Sequence, residues 1–217
     1  MATTLTTTTD PTTRSAVAAR AALVAGPLFV SVALLLTWLE WDFLHAAGWR
    51  PFASNVVPYP SYTALGRFGV LQMLNFFVTG ACVVAFVQAL GRHLHGKLGI
   101  TGRTLLTLTG VAMMTSTFPT DRVPVTHASW HGVIHAVSFF AVLLTSLLGM
   151  LFTGLALRRA PGWRRWGTLT AWLPLWQLLC FTVIGGLLPG DSGFYLFVLG
   201  LFTWVFATGR KLVSVTD

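Results

Sequence analysis

Residues 126–157 read THASWHGVIHAVSFFAVLLTSLLGMLFTGLAL. From Gly132 onward the stretch contains no Asp, Glu, Lys or Arg. It is also longer than the roughly 20 residues a helix needs to cross a hydrocarbon core about 30 Å thick. Five more stretches share its character, at about 21–39, 68–91, 104–119, 167–188 and 194–211. The third is the shortest, and the fifth contains Pro174, which a membrane helix tolerates when neighbours re-satisfy the freed carbonyl. Gly185, Gly186 and Pro189 mark the end of the fifth. The expected fold is all-α: a polytopic six-helix transmembrane bundle over residues 21–212, preceded by a Thr-rich, disordered tail at 1–20.

Composition supports this. Hydrophobic residues make up 54% of the 217-residue chain and charged residues 9%, and the mean hydropathy is +0.72. A soluble domain carries about a quarter charged residues, so there is too little charge here to coat a water-facing surface. The lipid bilayer is the first partner the sequence implies, and the expected location is a plasma membrane, crossed several times.

Charge also orients the bundle. Of the 14 Lys and Arg residues, 11 fall on one side: Arg14 and Arg20; Arg92, Lys97 and Arg103; Arg158, Arg159, Arg164 and Arg165; Arg210 and Lys211. By the positive-inside rule that side, with both termini, is cytoplasmic. The net charge of +8 then follows from topology and an anionic inner leaflet, with no need for nucleic acid. Cys82 and Cys180 sit inside apolar stretches and read as packing residues, not a disulfide. The first outer connection, about 40–67, is long for a compact bundle and rich in Pro and aromatics. It reads as an interfacial flap sealing the bundle, or as a lid to which Glu40, Asp42 or His45 contributes.

The chemistry-bearing residues gather where the fourth stretch begins. His127, His131 and His135 are spaced four apart, with Asp121 just upstream. On a helix that spacing keeps successive side chains on one face. Thr126 or Ser129 can cap the helix. A cap at Thr126 puts His127 in the first turn, His131 one turn deeper and His135 about 6 Å further in. The helix N-terminus disfavours imidazolium, and neutral imidazole is the metal-binding form. Two His at i and i+4 with a carboxylate and an open position suit zinc or another divalent metal. Haem is the less favoured cofactor, because the only other histidine on this side is His45, in a loop. Structural alternatives stand beside these. His127 reads as an interfacial residue, His131 and His135 as cross-helix hydrogen-bonders, and Asp121 as a cap or the partner of Arg122 or Arg67. His93 and His95 read as solvated loop residues.

Phe118-Pro119-Thr120-Asp121 followed by His131-Gly132-Val133-Ile134-His135, with Ala64–Gly69, Asn75-Phe76 and Gly80, resembles an uncharacterised family. Its members are bacterial, mostly actinobacterial, six-helix integral membrane proteins, known as a numbered domain of unknown function with an FPxD…HGxxH signature. The resemblance spans about residues 20–210. It implies the six-helix bundle and singles out Asp121, His131 and His135 but not His127. It brings no activity. A looser similarity is to ceramidase-like membrane hydrolases, which gather three His and an Asp around zinc in a bundle of seven helices.

Two functions are therefore expected of the outer site. In one, Asp121, His131 and His135 are metal ligands or acid–base groups of an enzyme acting on a lipid or other membrane-soluble substrate. In the other, the chain is a non-catalytic small transporter, sensor or partner subunit, with the histidines as a polar core or proton-sensitive element. Whether the chain is an enzyme, and its oligomeric state, are left open by the sequence.

Overall fold

The computed structural model describes residues 11–53, 57–188 and 191–215. The chain is helical: α1 Pro11–Leu39, a short α2 Trp41–Ala46, α3 Gly69–Leu90, α4 Gly96–Thr115, α5 Trp130–Leu157, α6 Arg164–Leu179, α7 Gly185–Leu187 and α8 Ser192–Ser214. A wide π-turn, Cys180–Ile184, joins α6 to α7 so that they run on as one rod. Pro27 and Pro174 sit inside helices.

Among the described residues five helices are long and apolar enough to cross a membrane: Ala16–Leu39, Gly69–His93, Trp130–Leu157, Arg164–Leu187 and Ser192–Ser214. Leu34, Trp38, Val70, Phe140 and Leu169 stand exposed on the outer faces, as lipid-facing residues do. The third expected span is the one that differs. It begins at Gly96, not 104, because its first turns carry Lys97 and Arg103 and escape a hydropathy reading. It ends at Thr115, not 119, since Pro119 disfavours helical geometry at the residue before it. At 20 residues, α4 is still about 30 Å long. The amino-terminal expectation also changes. Helix α1 already runs from Pro11, so residues 11–20 are helical in the structure. Residues 1–10 lie outside the described residues, as do Pro189 and Gly190 at the end of the fifth stretch.

The long helices form a ring. Helix α1 packs on α3, α3 on α4, α4 on α5, α5 on α6 and α1 on α8, and the π-turn after α6 packs on α8 to close it. Phe76, Phe86, Met113, Met150, Phe202 and Trp204 are among the buried residues of the core inside. Small residues set the spacing, since close approach of backbones is what drives apolar helices together in lipid. A Cβ at Gly80 would stand 2.5 Å from the Gly110 carbonyl oxygen. Gly149 similarly receives Leu106, and Gly154 meets Ala171 and Gly167. The free cysteines are half-buried (Cys82) and buried (Cys180).

One end of the ring gathers the basic connections. The Trp163 ring lies 4.9 Å from that of His93 and 5.0 Å from the Lys211 ammonium, so the α3–α4 and α5–α6 connections and the end of α8 meet there. The opposite end gathers the remaining connections. The segment after α1 folds on a small core of its own, Leu44, Trp49, Val57 and Tyr62, against which Val123 of the α4–α5 connection packs. Tyr59 stacks on Trp49 at 4.9 Å and meets Tyr195 of α8 edge-on at 5.9 Å. Glu40, only 5% exposed, closes this segment by accepting a 2.6 Å hydrogen bond from the Phe68 backbone N–H.

Candidate functional site at the α4–α5 junction

Helix α5 starts at Trp130, and its cap is Ser129, whose hydroxyl accepts from the Gly132 N–H at 3.0 Å. Of the two caps the sequence allowed, the later one is used. His127 consequently precedes the helix, exposed in the connection. The expected column of three imidazoles is a pair.

That pair is fixed from the connection side. His135, 7% exposed, directs Nδ1 at the carbonyl oxygens of Ser116 (3.0 Å) and Phe118 (2.7 Å). Carbonyls only accept, so the proton sits on Nδ1 and the free lone pair on Nε2. His131 Nδ1 lies 2.9 Å from both the Pro119 carbonyl and the Ser129 hydroxyl, which selects the same tautomer. The carbonyls so engaged belong to the segment just after α4, where the orphan acceptors of a helix end need donors.

Asp121 is held separately. Its carboxylate accepts from the Ser129 hydroxyl and from the Ser129 backbone N–H at 3.2 and 3.3 Å. The Ser129 hydroxyl bond is the main reason its pKa lies below the usual carboxylate value, with the Ser129 N–H and the nearby His131 assisting against a smaller desolvation effect. The carboxylate rests on Gly132, where any Cβ would overlap it. Every residue of the FPxD…HGxxH phrase that the sequence marked thus has a partner in one motif. Phe118 and Pro119 offer carbonyls, His131 and His135 donate to them, Asp121 holds the cap, and Gly132 leaves room for it.

A pH dependence follows. A carboxyl group with a lowered folded-state pKa stabilises the fold above its unfolded value, near 4, and that contribution disappears as pH falls through the lowered value. Ser129→Ala should move the Asp121 pKa back up toward the ordinary range. Acid unfolding would then begin at higher pH than in the wild type, read by circular dichroism in detergent. Identical acid profiles would refute the assignment.

Among the described residues no group of three or more His, Cys, Asp and Glu side chains is placed to hold a metal ion. Asp121 is engaged by Ser129 and His127 lies off the helix, so His131 and His135 are the two imidazoles carried by α5. His45, the other histidine considered for haem, directs Nδ1 at the Trp41 carbonyl at 2.9 Å and lies tilted against the Trp41 ring at 4.1 Å. Glu40 is the Phe68 clasp, and Asp42 lies exposed in α2. Arg67, a proposed partner of Asp121, lies over the Phe68 ring at 5.5 Å.

A polar ladder along α3 was not anticipated. Gln72, Asn75 and Thr79 are buried at spacings of three and four. Asn75 donates to the Phe29 carbonyl (3.1 Å) and to Gln72 Oε1 (3.4 Å), and Thr79 donates to Asn75 Oδ1 (3.4 Å). Polar side chains at helical spacing in an otherwise apolar span carried that signal. Thr115 with Ser138 (2.7 Å) and Thr109 with Thr145 (2.9 Å) tie α4 to α5 in the same way. His135 and Ser116 border a small cavity of about 60 Å³, shared with Phe29, Pro60, Phe76 and Phe194.

No curated protein and no solved structure matches the chain. A family model does, over residues 23–210, and this stretch holds all the spanning helices but the first turns of α1 and the last of α8. The chain belongs to the family described as Protein of unknown function (DUF998).

Proposed function

We propose that this chain is a six-span protein of a bacterial plasma membrane, with both termini cytoplasmic, that binds or carries a membrane-soluble molecule without transforming it. Helix α4 is the sixth span, long enough to cross and enclosed between α3 and α5. The clustering of Arg- and Lys-bearing connections at one end supports the orientation. Asp121, His131 and His135 fasten the outer end of the bundle. The observation that carries this reading is the use of each group: both imidazole N–H groups and the carboxylate are directed at the α4–α5 connection and its cap.

One observation favours the metal-dependent enzyme. An imidazole whose Nδ1–H is held by a carbonyl presents Nε2 in the way metal ligands are oriented. Zinc, if bound by His131 and His135, would supply an activated water, and a third ligand would have to come from elsewhere.

Elemental analysis separates the two. The purified wild type and a His131→Asn, His135→Asn variant are compared, because an Asn amide can keep the Nδ1-type hydrogen bond while losing the Nε2 lone pair. The proposal expects substoichiometric metal in both and equal thermal stability within about 1 kcal/mol. Stoichiometric zinc in the wild type, lost in the variant, overturns it in favour of the enzyme. A Soret band lost in the same way overturns it in favour of haem.

A further inference from the structure

At the outer end, α1 and α8 part around a groove of about 420 Å³. Phe29, Ala33 and Leu34 of α1 face Val198 and Leu199 of α8 across it, and the segment after α1 roofs it with Trp49 and Tyr59. Its volume lies within the range of about 300–1,000 Å³ typical of small-molecule sites. We propose that it is a binding site for a neutral, carbonyl-bearing lipid, entering from the bilayer between α1 and α8 with its apolar chain along the groove and its carbonyl oxygen under the roof. The proposal deepens the reading of the chain as a non-catalytic binder and names the class of ligand.

Three features select this chemistry. The groove is lined almost wholly by apolar groups, and no Asp, Glu, Lys, Arg or His is among its lining residues. Arg50, next to Trp49 in the chain, directs its guanidinium at the carbonyls of His45 (2.9 Å) and Trp49 (2.7 Å). A carboxylate or phosphate brought into such a groove would lose hydration with no partner in return, so the head is neutral.

The roof, in contrast, carries polar atoms. The Trp49 indole N–H is a donor on a residue only 4% exposed, and no well-aligned hydrogen bond closes on that atom; the Tyr195 hydroxyl beside it is a weak partner. A buried donor without an acceptor costs about 1–3 kcal/mol, and a ligand oxygen would relieve that cost. The Tyr59 hydroxyl is turned to Thr37 instead. It is 2.6 Å from Thr37 Oγ1, and since Thr37 donates to the Ala33 carbonyl at 2.7 Å, Tyr59 donates to Thr37. Burial raises the Tyr59 pKa, so it remains a neutral phenol.

The third feature is position. Phe29, Pro60, Phe194 and Val198 line both this groove and the small cavity at His135, so the two spaces adjoin. Trp and Tyr belong at headgroup level. The lining therefore runs from polar at the interface to apolar toward the bilayer centre, as an amphiphile does.

Dioleoylglycerol (an ester carbonyl) and a two-isoprene ubiquinone (a ring carbonyl) share this chemistry and can be told apart as probes. The full chain in phosphatidylcholine nanodiscs is titrated with each, and with oleate as the anionic control, and retention is read by native mass spectrometry. One of the two neutral probes should be retained saturably at one per chain, and oleate should not. Trp49→Phe keeps the stack on Tyr59 and removes the donor, and should weaken retention about tenfold. Leu34→Trp, on an exposed position where a larger ring is tolerated, should fill the mouth and abolish retention. Retention of neither probe above phosphatidylcholine overturns the proposal. Equal retention by wild type and both variants means an annular lipid only and also overturns it. Oleate bound as well as the neutral probes overturns the choice of head. If the wild type hydrolyses dioleoylglycerol in a zinc-dependent way, the non-catalytic reading fails while the groove assignment stands. If neither probe is retained and no metal is found, the groove fails alone.

Discussion

Gly80→Val should leave almost no folded protein in the membrane. Gly80 and Gly110 face each other where α3 and α4 cross. An added Cβ at Gly80 would stand 2.5 Å from the Gly110 carbonyl and 2.8 Å from the Met114 backbone nitrogen. Those atoms belong to a rigid helix and cannot turn aside as a side chain would. The helices would have to separate, and the α4–α5 contacts that hold the junction between them would move too. Overpacking of this kind costs about 3 kcal/mol or more, a large fraction of the stability of a typical fold. Gly186→Ala is the matched control, because a Cβ there meets nothing within 4 Å. The measurement is the yield of monodisperse protein in detergent together with the unfolding midpoint. A Gly80→Val variant that accumulates and melts like the wild type would contradict the close crossing.

His135→Ala should be the most damaging single change at the junction, and His135→Asn should restore most of the loss. Alanine removes the donor shared by the Ser116 and Phe118 carbonyls and leaves a void beside Phe76, whose ring meets the imidazole edge-on at 5.9 Å. The unsatisfied acceptors and the void together cost about 2–4 kcal/mol. Asparagine replaces the Nδ1–H with an amide N–H at nearly the same reach. The ratio of the two effects is therefore diagnostic. A fastening is rescued by Asn, whereas a ligand or base acting through Nε2 is not. Unfolding midpoints of the three proteins supply the comparison, and equal losses for Ala and Asn would defeat the fastening.

Much of the helix pattern was legible because it depends on long-range averages. Stretches such as 132–157 and 68–91 declare themselves by length and by the absence of charge, and the helices found there differ by a residue or two. Boundaries failed where helix and hydropathy part company. The first turns of α4 are helical yet basic, and those of α1 helical yet polar, so an apolar window misses both. The histidine spacing was legible too, but spacing has meaning only on a helix, and the choice between Thr126 and Ser129 as cap moved His127 off it. That choice was decided by Asp121, whose carboxylate grips Ser129 through both its hydroxyl and its N–H. Such a contact lies eight residues away and leaves no periodic trace. The groove was less legible still. Trp49 and Tyr59 belong to the aromatic outer connection in the sequence, and only the fold sets them with Tyr195 around one space.

The contacts along α1 and α8 are uneven, and this has a mechanical consequence. Near the basic end, Ala22 of α1 sits directly on Gly209 of α8, and Phe202 presses on Gly26. Toward the other end the same two helices are held apart by Phe29, Phe194 and Val198. Two rods pinned at one end and spaced by soft contents at the other behave as tongs. Any widening between them is therefore borne by the unpinned end, where Leu34 lies, and not by the crossing at Gly26. The neighbouring crossings of α3, α4, α5 and α6 are locked by glycine against backbone and have no such freedom. The molecule therefore has one stiff side and one compliant one, and the compliant side opens toward the bilayer.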